Sequence, residues 1–391
     1  MKEKYGDRKY EQQNLFPDDS GSIYEQSSKK KKDEEAKVIL GLSEQKGIGF
    51  KSIKKLYEAG GISNYTRWQK SRLVEKLAEC LHRPTSKQVE NLAQSKRQLL
   101  EQGEKKLEVL SQRGIDLITT NHSDFPVRIL DQMDDPPRWL FVRGDPKVLK
   151  EESMVGVVGT RNPSKYGKWL ARRCASELAK SSFIVLSGLA KGVDSASHRG
   201  AVEVYARTIA VLGHGIEESL LSSDQQRLAE EMLRLDGAIV SEYLPNDPPS
   251  RDGYLRRNEV VSALSGLIIP IECPSLQSGT GATIRRAQQM ETPVAGIKPK
   301  NRSDLNEALI KTEDNYHRIG IPMLNVFTRS GDLWNFLRET FPHHDWHEDK
   351  KRHRRFYKVI ADRVSKANKH FSFEEGDLDE MIDVVKNEII D

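Results

Sequence analysis

Met154-Val155-Gly156-Val157-Val158-Gly159-Thr160-Arg161 is the stretch on which the fold turns: an apolar run that breaks into glycine and then into a polar loop. The same punctuation recurs in Leu186-Ser187-Gly188-Leu189-Ala190-Lys191-Gly192, in Val211-Leu212-Gly213-His214-Gly215 and in Gln277-Ser278-Gly279-Thr280-Gly281. Strand ends that break into glycine and open a helix are where open α/β sheets bind phosphate. Four such turns, with Arg161 and Lys191 beside them, point to a phosphorylated ligand or a nucleic-acid backbone.

Apolar runs at 155–158, 183–186, 208–212, 238–242, 267–271 and 293–297 read as strands, separated by helical stretches near 166–180, 194–205, 224–235, 256–264 and 281–290. Strands this apolar on both faces, alternating with helices, predict a doubly wound, Rossmann-like, mostly parallel sheet. Before it, Ile115, Leu117 and Ile118 read as a short strand and Trp139-Leu140-Phe141-Val142 as another. Asp134-Asp135-Pro136-Pro137 forbids a helix between them.

The domain scheme expected is a charged, disordered arm over 1–35, a helical domain over 36–110, the sheet domain over 111–330 and a helical or charged tail over 331–391. In the helical domain, Gly47-Ile48-Gly49 followed by Ile53, Leu56 and Tyr57 resembles a helix-hairpin-helix turn (a small SAM-like bundle), whose glycines admit a DNA phosphate; an ordinary tight turn is the alternative. Residues 86–111 read as one packing helix. In the tail, His343, His344 and His347 offer either metal ligands or an exposed polar linker, Lys350 to Arg355 is basic, and residues 374–391 suit an amphipathic helix. No metal or cofactor is expected.

Lys and Arg number 62 against 58 Asp and Glu, a net charge of +4 over 391 residues, so any nucleic-acid site must be a local patch. The three cysteines form no CxxC pair, which fits a reducing compartment. No apolar run approaches the ~20 residues of a membrane span, so a soluble cytoplasmic protein is expected.

Specific chemistry follows from the turns. Arg161 offers bidentate recognition of a phosphate, next to Gly159 and Thr160 at the start of a helix with outward amides. Ser187, Gly188 and Gly192 let the backbone bend toward a ligand, and Lys191 adds a point charge. Ser278, Gly279 and Thr280 form another amide-rich loop. Tyr254, Arg256, Arg257 and Asn258 are read at the start of a helix, where an arginine takes phosphate and Tyr254 stacks a base; one of the two arginines is expected to be structural. Asp194 and His198 read as cap and packing. The chain has no Gly-Lys-Ser/Thr phosphate loop, no full GxGxxG and no evident nucleophile. A binding site rather than a catalytic one is expected.

From Gly114 to Lys298 these residues, in this order and spacing, resemble the DprA/Smf family of bacterial DNA-processing proteins. The resemblance rests on Asp124-Phe125-Pro126, Pro136-Pro137, Gly159-Thr160-Arg161, Ser187 through Asp194, Ser241-Glu242-Tyr243, Arg257-Asn258 and Glu272 through Gly279. It departs at His214, where the family has a small residue between two glycines. The resemblance implies a non-enzymatic protein that binds single-stranded DNA, dimerises, and delivers the strand to a RecA-type recombinase in DNA-mediated transformation, with Arg161 and Lys191 lining the phosphate pocket. In the arm, Gln12-Gln13-Asn14-Leu15-Phe16 resembles the peptide that sliding-clamp partners insert into the clamp, with Gln12, Leu15 and Phe16 as contacts. The alternatives are a nucleotide-binding or nucleotide-processing protein with Asp194, His198 and Glu272 as its acid–base groups, and a mobile-element or defence accessory that reuses the DNA-binding core.

Overall fold

The computed structural model describes residues 34–298, 307–324 and 332–344. The Gln12–Phe16 peptide, His347, the 350–355 basic run and the 374–391 segment lie outside them. Five helices come first: α1 (residues 34–43), α2 (Phe50–Glu58), α3 (Lys70–Cys80), α4 (Ser86–Gln94) and α5 (Lys96–Gln112). Between α1 and α2 the chain turns through Gly47, whose φ of +81° an L side chain rarely adopts. Helix α1 crosses α5 at glycines. A Cβ on Gly103 would stand 1.9 Å from the Lys37 carbonyl oxygen. The single helix predicted over 86–111 is two, because Ser95 closes α4 and opens α5. That break brings Val89, Leu92, Leu99 and Leu110 into one core.

A seven-stranded sheet follows: β1 (Ile115–Thr119), β2 (Trp139–Arg143), β3 (Met154–Gly159), β4 (Ile184–Ser187), β5 (Thr208–Leu212), β6 (Ala238–Ser241) and β7 (Leu267–Ile271), in the order β1-β2-β6-β5-β4-β3-β7. Strands β3 to β7 are parallel; β2 runs antiparallel to both β1 and β6. The helices are α6 (Val127–Gln132), α7 (Lys165–Lys180), α8 (Val193–Val202), α9 (Ser223–Arg234), α10 (Arg251–Leu264) and α11 (Gly279–Gln289). After these come β8 (Gly296–Ile297), α12 (Glu307–Arg318), β9 (Met323–Leu324) and α13 (Asp332–Thr340).

Alternation along the strands explains the layering. Val158, Leu186, Val211 and Ile268 face a core shared with α6, α10 and α11. Val155, Val157, Val185 and Ile269 face another with α7, α8 and α13. Farther along that second face, Trp139, Phe141, Ala210 and Ile239 meet α9 and the N-terminal helices. Buried Glu35 fastens α1 there, accepting hydrogen bonds from Ser63 (2.6 Å), Thr119 (2.9 Å) and Asn121 (3.0 Å).

Two element boundaries differ from expectation. The run 293–297 meets β7 through one bridge, Val294 to Ile268, and then pairs as β8 with β9 in a separate sheet. Pro293 has no N–H to extend the ladder. Helix α10 starts at Arg251, not near 256. Ser250 caps it by accepting the Gly253 N–H at 2.9 Å, so Tyr254 to Asn258 lie within the helix.

A groove at the topological switch point

The chain steps from β3 outward through β4 and β5 to β6, then returns through α10 to place β7 on the other side of β3. Loops leaving the carboxyl ends of β3 and β7 therefore diverge, and open α/β sheets bind ligands in that crevice. A groove of about 700 Å³ lies there. The first turn contributes Gly159, Thr160 and Arg161, α10 contributes Tyr254, Arg257 and Asn258, and the start of α11 contributes Ser278, Gly279 and Thr280.

Its charge is one-sided. Arg161, Arg251, Arg257 and Arg285 line it against one carboxylate, Asp194. The Arg161 guanidinium lies 4.3 Å from the centroid of the Tyr254 ring, a cation–π distance. Arg285 also donates to the Leu276 carbonyl, which holds the loop before α11. Arg251 is exposed at the rim.

Arg257 sits deepest, 6% exposed, with Nη1 donating to Asp194 Oδ2 at 3.1 Å. Its Nε has no partner among the described residues. The guanidinium crosses directly over Gly188: a Cβ there would lie 0.8 Å from Nη1. Gly188 thus makes room for an arginine rather than for a ligand. Gly192 has φ +89°, and its Cβ would stand 2.5 Å from the Thr160 carbonyl oxygen, so the second turn braces the first from beneath. Ser187 donates to the Val157 carbonyl (2.7 Å) and is fully buried. Lys191 is exposed and does not line the groove.

His198 pins that second turn. Its Nε2 accepts the Leu189 N–H (3.3 Å), and its Nδ1 donates to Thr208 Oγ1 (2.8 Å), whose own proton goes to the Val185 carbonyl (2.6 Å). Burial, and then the charge of Arg257, push its pKa down to about 3. The ring is neutral and part of the frame.

The helix start after β3 is less open than the sequence suggests. Ser164 caps α7 by accepting the Gly167 N–H (2.9 Å), and Glu272 accepts the Ser164 N–H (2.8 Å) and its hydroxyl. A buried carboxylate thus occupies the amide cluster that was expected to face a phosphate. The start of α11 is the open one: nothing lies within 4 Å of a Cβ on Gly279.

The third turn does not reach the groove. Gly213 packs on the backbone of Gly253, Gly215 donates to the Asp247 carbonyl (2.8 Å), and buried His214 folds onto the Gly215 carbonyl (2.8 Å). Arg256 faces away too, bound to Glu242 (2.9 Å) and Glu259 (3.0 Å). Lys54 joins that cluster through Asp135 (2.8 Å) and Glu242 (3.6 Å), tying α2 to α10. Both arginines of the pair are therefore engaged within the fold, but only Arg257 also lines the groove.

Sequence reasoning missed Arg251; the Ser250-x-x-Gly253 cap was the signal that would have found it. The three groups available for acid–base chemistry are all engaged: Asp194 by Arg257, His198 by Thr208 and Glu272 by Ser164. Among the described residues, no group of three or more His, Cys, Asp or Glu could hold a metal ion, and His344 is bound instead to Ser153 (2.6 Å) and the Ser181 carbonyl (2.7 Å). The cysteines are free and buried. No described helix is long and apolar enough to cross a membrane. A second cavity, about 780 Å³, lies at the amino ends of β3 and β7, between α6 and the segment after α13, and none of the glycine turns opens into it.

The family profile and the curated relatives agree on one family. The profile described as DNA recombination-mediator protein A matches residues 116–315. A Synechocystis protein named Smf is 33% identical over 207 residues, 52% of this chain and 50% of that protein. The DNA processing protein DprA of Bacillus subtilis is 31% identical over 161 residues, 41% of this chain and 53% of that protein. The chain thus spans about half the length of the curated relatives it matches. The crystal structure of DprA from Streptococcus pneumoniae superposes with a TM-score of 0.54 at 22% identity, covering 80% of this chain and 97% of that one, and shares the fold.

Proposed function

Since the chain belongs to the DNA recombination-mediator protein A family, we propose that it holds single-stranded DNA in the groove between β3 and β7 and passes the strand to a RecA-type recombinase, without chemistry of its own. The observation that carries this reading is the groove's charge: four arginines against one carboxylate, with an aromatic ring at 4.3 Å from one of them. Arg161 and Arg251 take phosphates, and Tyr254 stacks a base once Arg161 swings onto the backbone. Arg257 adds a fixed charge from below. Engagement of Asp194, His198 and Glu272 within the fold speaks against an acid–base enzyme.

A homodimer acting in the cytoplasm completes the proposal, with Gln12, Leu15 and Phe16 as a contact to the sliding clamp. Binding is expected to be sequence-tolerant and salt-sensitive. The test is titration of a labelled oligothymidylate against the wild type and against an Arg161→Ala, Arg251→Ala double variant. Loss of about tenfold or more in the variant supports the reading, since each charged contact contributes roughly 1–3 kcal/mol. Thermal stabilisation by a free mononucleotide, with no oligonucleotide binding, overturns it in favour of a nucleotide-binding protein.

A further inference from the structure

His214 stands where a small residue between two glycines was expected, and it does not itself line the groove. It is 5% exposed and held at two points: Nδ1 donates to the Gly215 carbonyl (2.8 Å), and the His214 carbonyl accepts the Ser241 hydroxyl (2.5 Å). Burial lowers its pKa, the Gly215 hydrogen bond opposes that and the charge of Arg257 adds to it, so the net lies below the ordinary value. At neutral pH the ring is uncharged. It offers the groove shape rather than a cation.

That shape backs Tyr254. The third turn packs on the first turn of α10: a Cβ on Gly213 would stand 2.8 Å from the Gly253 carbonyl oxygen and 2.9 Å from the Tyr254 Cα. From there the imidazole meets the Tyr254 ring at 82°, with centroids 6.4 Å apart, an edge-to-face geometry that aromatic pairs prefer. Arg161 lies over the same ring at 4.3 Å. When a base takes the place of Arg161, the half-buried tyrosine loses that contact and keeps the one to His214. A side chain already ordered costs less to bind against.

We infer that His214 is a positioning residue for the groove: it holds the Tyr254 ring in the orientation that receives a base. This rests on the groove binding single-stranded DNA with a base on Tyr254. His214 acts only through that ring, so it strengthens the recognition of bases and leaves the contacts to phosphates as they are.

Two probes separate those contacts in the full-length chain: an oligothymidylate, and a strand of the same length built of abasic sugars, which offers phosphates without bases. His214→Ala should weaken the oligothymidylate about three- to tenfold, the worth of an aromatic pair and of an ordered side chain. It should leave the abasic strand within about twofold and the salt slope unchanged, since no charge is removed. His214→Phe, which keeps an aromatic edge against Tyr254, should recover most of the lost affinity. Tyr254→Ala should lose about tenfold on the oligothymidylate, and adding His214→Ala to it should lose nothing more, because the two side chains act as one unit. Equal losses on both strands in His214→Ala, a further loss in the double variant, a His214→Phe no better than His214→Ala, or an oligothymidylate affinity unchanged in His214→Ala overturns the inference and leaves the groove reading in place. A wild type that binds neither strand, or a Tyr254→Ala chain that binds the oligothymidylate like wild type, sinks the groove reading and the role of His214 with it.

Discussion

Removing the Asp194 carboxylate while leaving Arg257 in place isolates a deeply buried ion pair. The two side chains are 8% and 6% exposed and meet at 3.1 Å, and the guanidinium lies directly over Gly188. Asp194→Ala leaves a buried cation without a partner, a loss of about 3–5 kcal/mol in comparable pairs. For a domain of this size each kcal/mol moves the melting temperature by roughly 2–4 °C, so the midpoint should fall on the order of 10 °C. Replacing both groups, Asp194→Leu with Arg257→Met, removes the desolvation penalty with the pair and should return stability to within about 2 kcal/mol of wild type. That double variant is still short of one groove cation, so its oligonucleotide affinity should fall about tenfold. Calorimetric melts of the three chains, run beside oligonucleotide titrations, separate the two roles of Arg257. A melt of Asp194→Ala within about 2 °C of wild type would refute the reasoning, because the cation would then have found water or another partner.

Arg161→Ala should weaken DNA binding and lower the salt slope by about one, while Arg256→Ala, which disturbs only the Glu242–Glu259 cluster, should leave affinity within about twofold; equal losses in both titrations would contradict the assignment of the groove. His198 carries a pH signature. The folded ring takes a proton only near pH 3 and the unfolded chain near 6.5, so between those values the unfolded state binds more protons and stability falls as pH drops, by about 1.4 kcal/mol per unit. His198→Gln should flatten that part of the curve below pH 6.5 and change nothing in the slope above pH 7; denaturant melts across pH 4 to 8 check it. Glu272→Gln should cost about 1–2 kcal/mol by weakening the acceptors for the Ser164 amide and hydroxyl, and a stability equal to wild type in urea would show that the α7 cap does not depend on charge.

Much of the sheet was legible because apolar runs ending in glycine mark parallel strands, and β3, β4, β5, β6 and β7 fall where those runs do. Strand order was not, since runs apolar on both faces carry no mark of their neighbours. Without the order, the switch point between β3 and β7 cannot be located, and four glycine turns look equivalent. They are not: the first and fourth form the groove, the second braces it through Gly188 and Gly192, and the third packs on Gly253. Arg256 and Arg257, adjacent in sequence, are sent to different faces of α10 by the 100° step of a helix. Glu272 was legible as a carboxylate but not as the acceptor for Ser164, the cap of α7, 108 residues earlier, because such a contact exists only once the sheet is assembled. The start of α10 was hidden by Gly253, a poor helix former kept there by close contact with Gly213.

The central claim is that a DNA strand lies in the crevice between β3 and β7, against Tyr254. Ultraviolet crosslinking of an oligonucleotide carrying halogenated uracil, followed by peptide mapping, tests it most directly. The account predicts adducts on Tyr254 and on peptides from the 159–164 and 277–285 loops. Crosslinks confined to α1–α5, or absent from the groove while the oligonucleotide still binds, would contradict it.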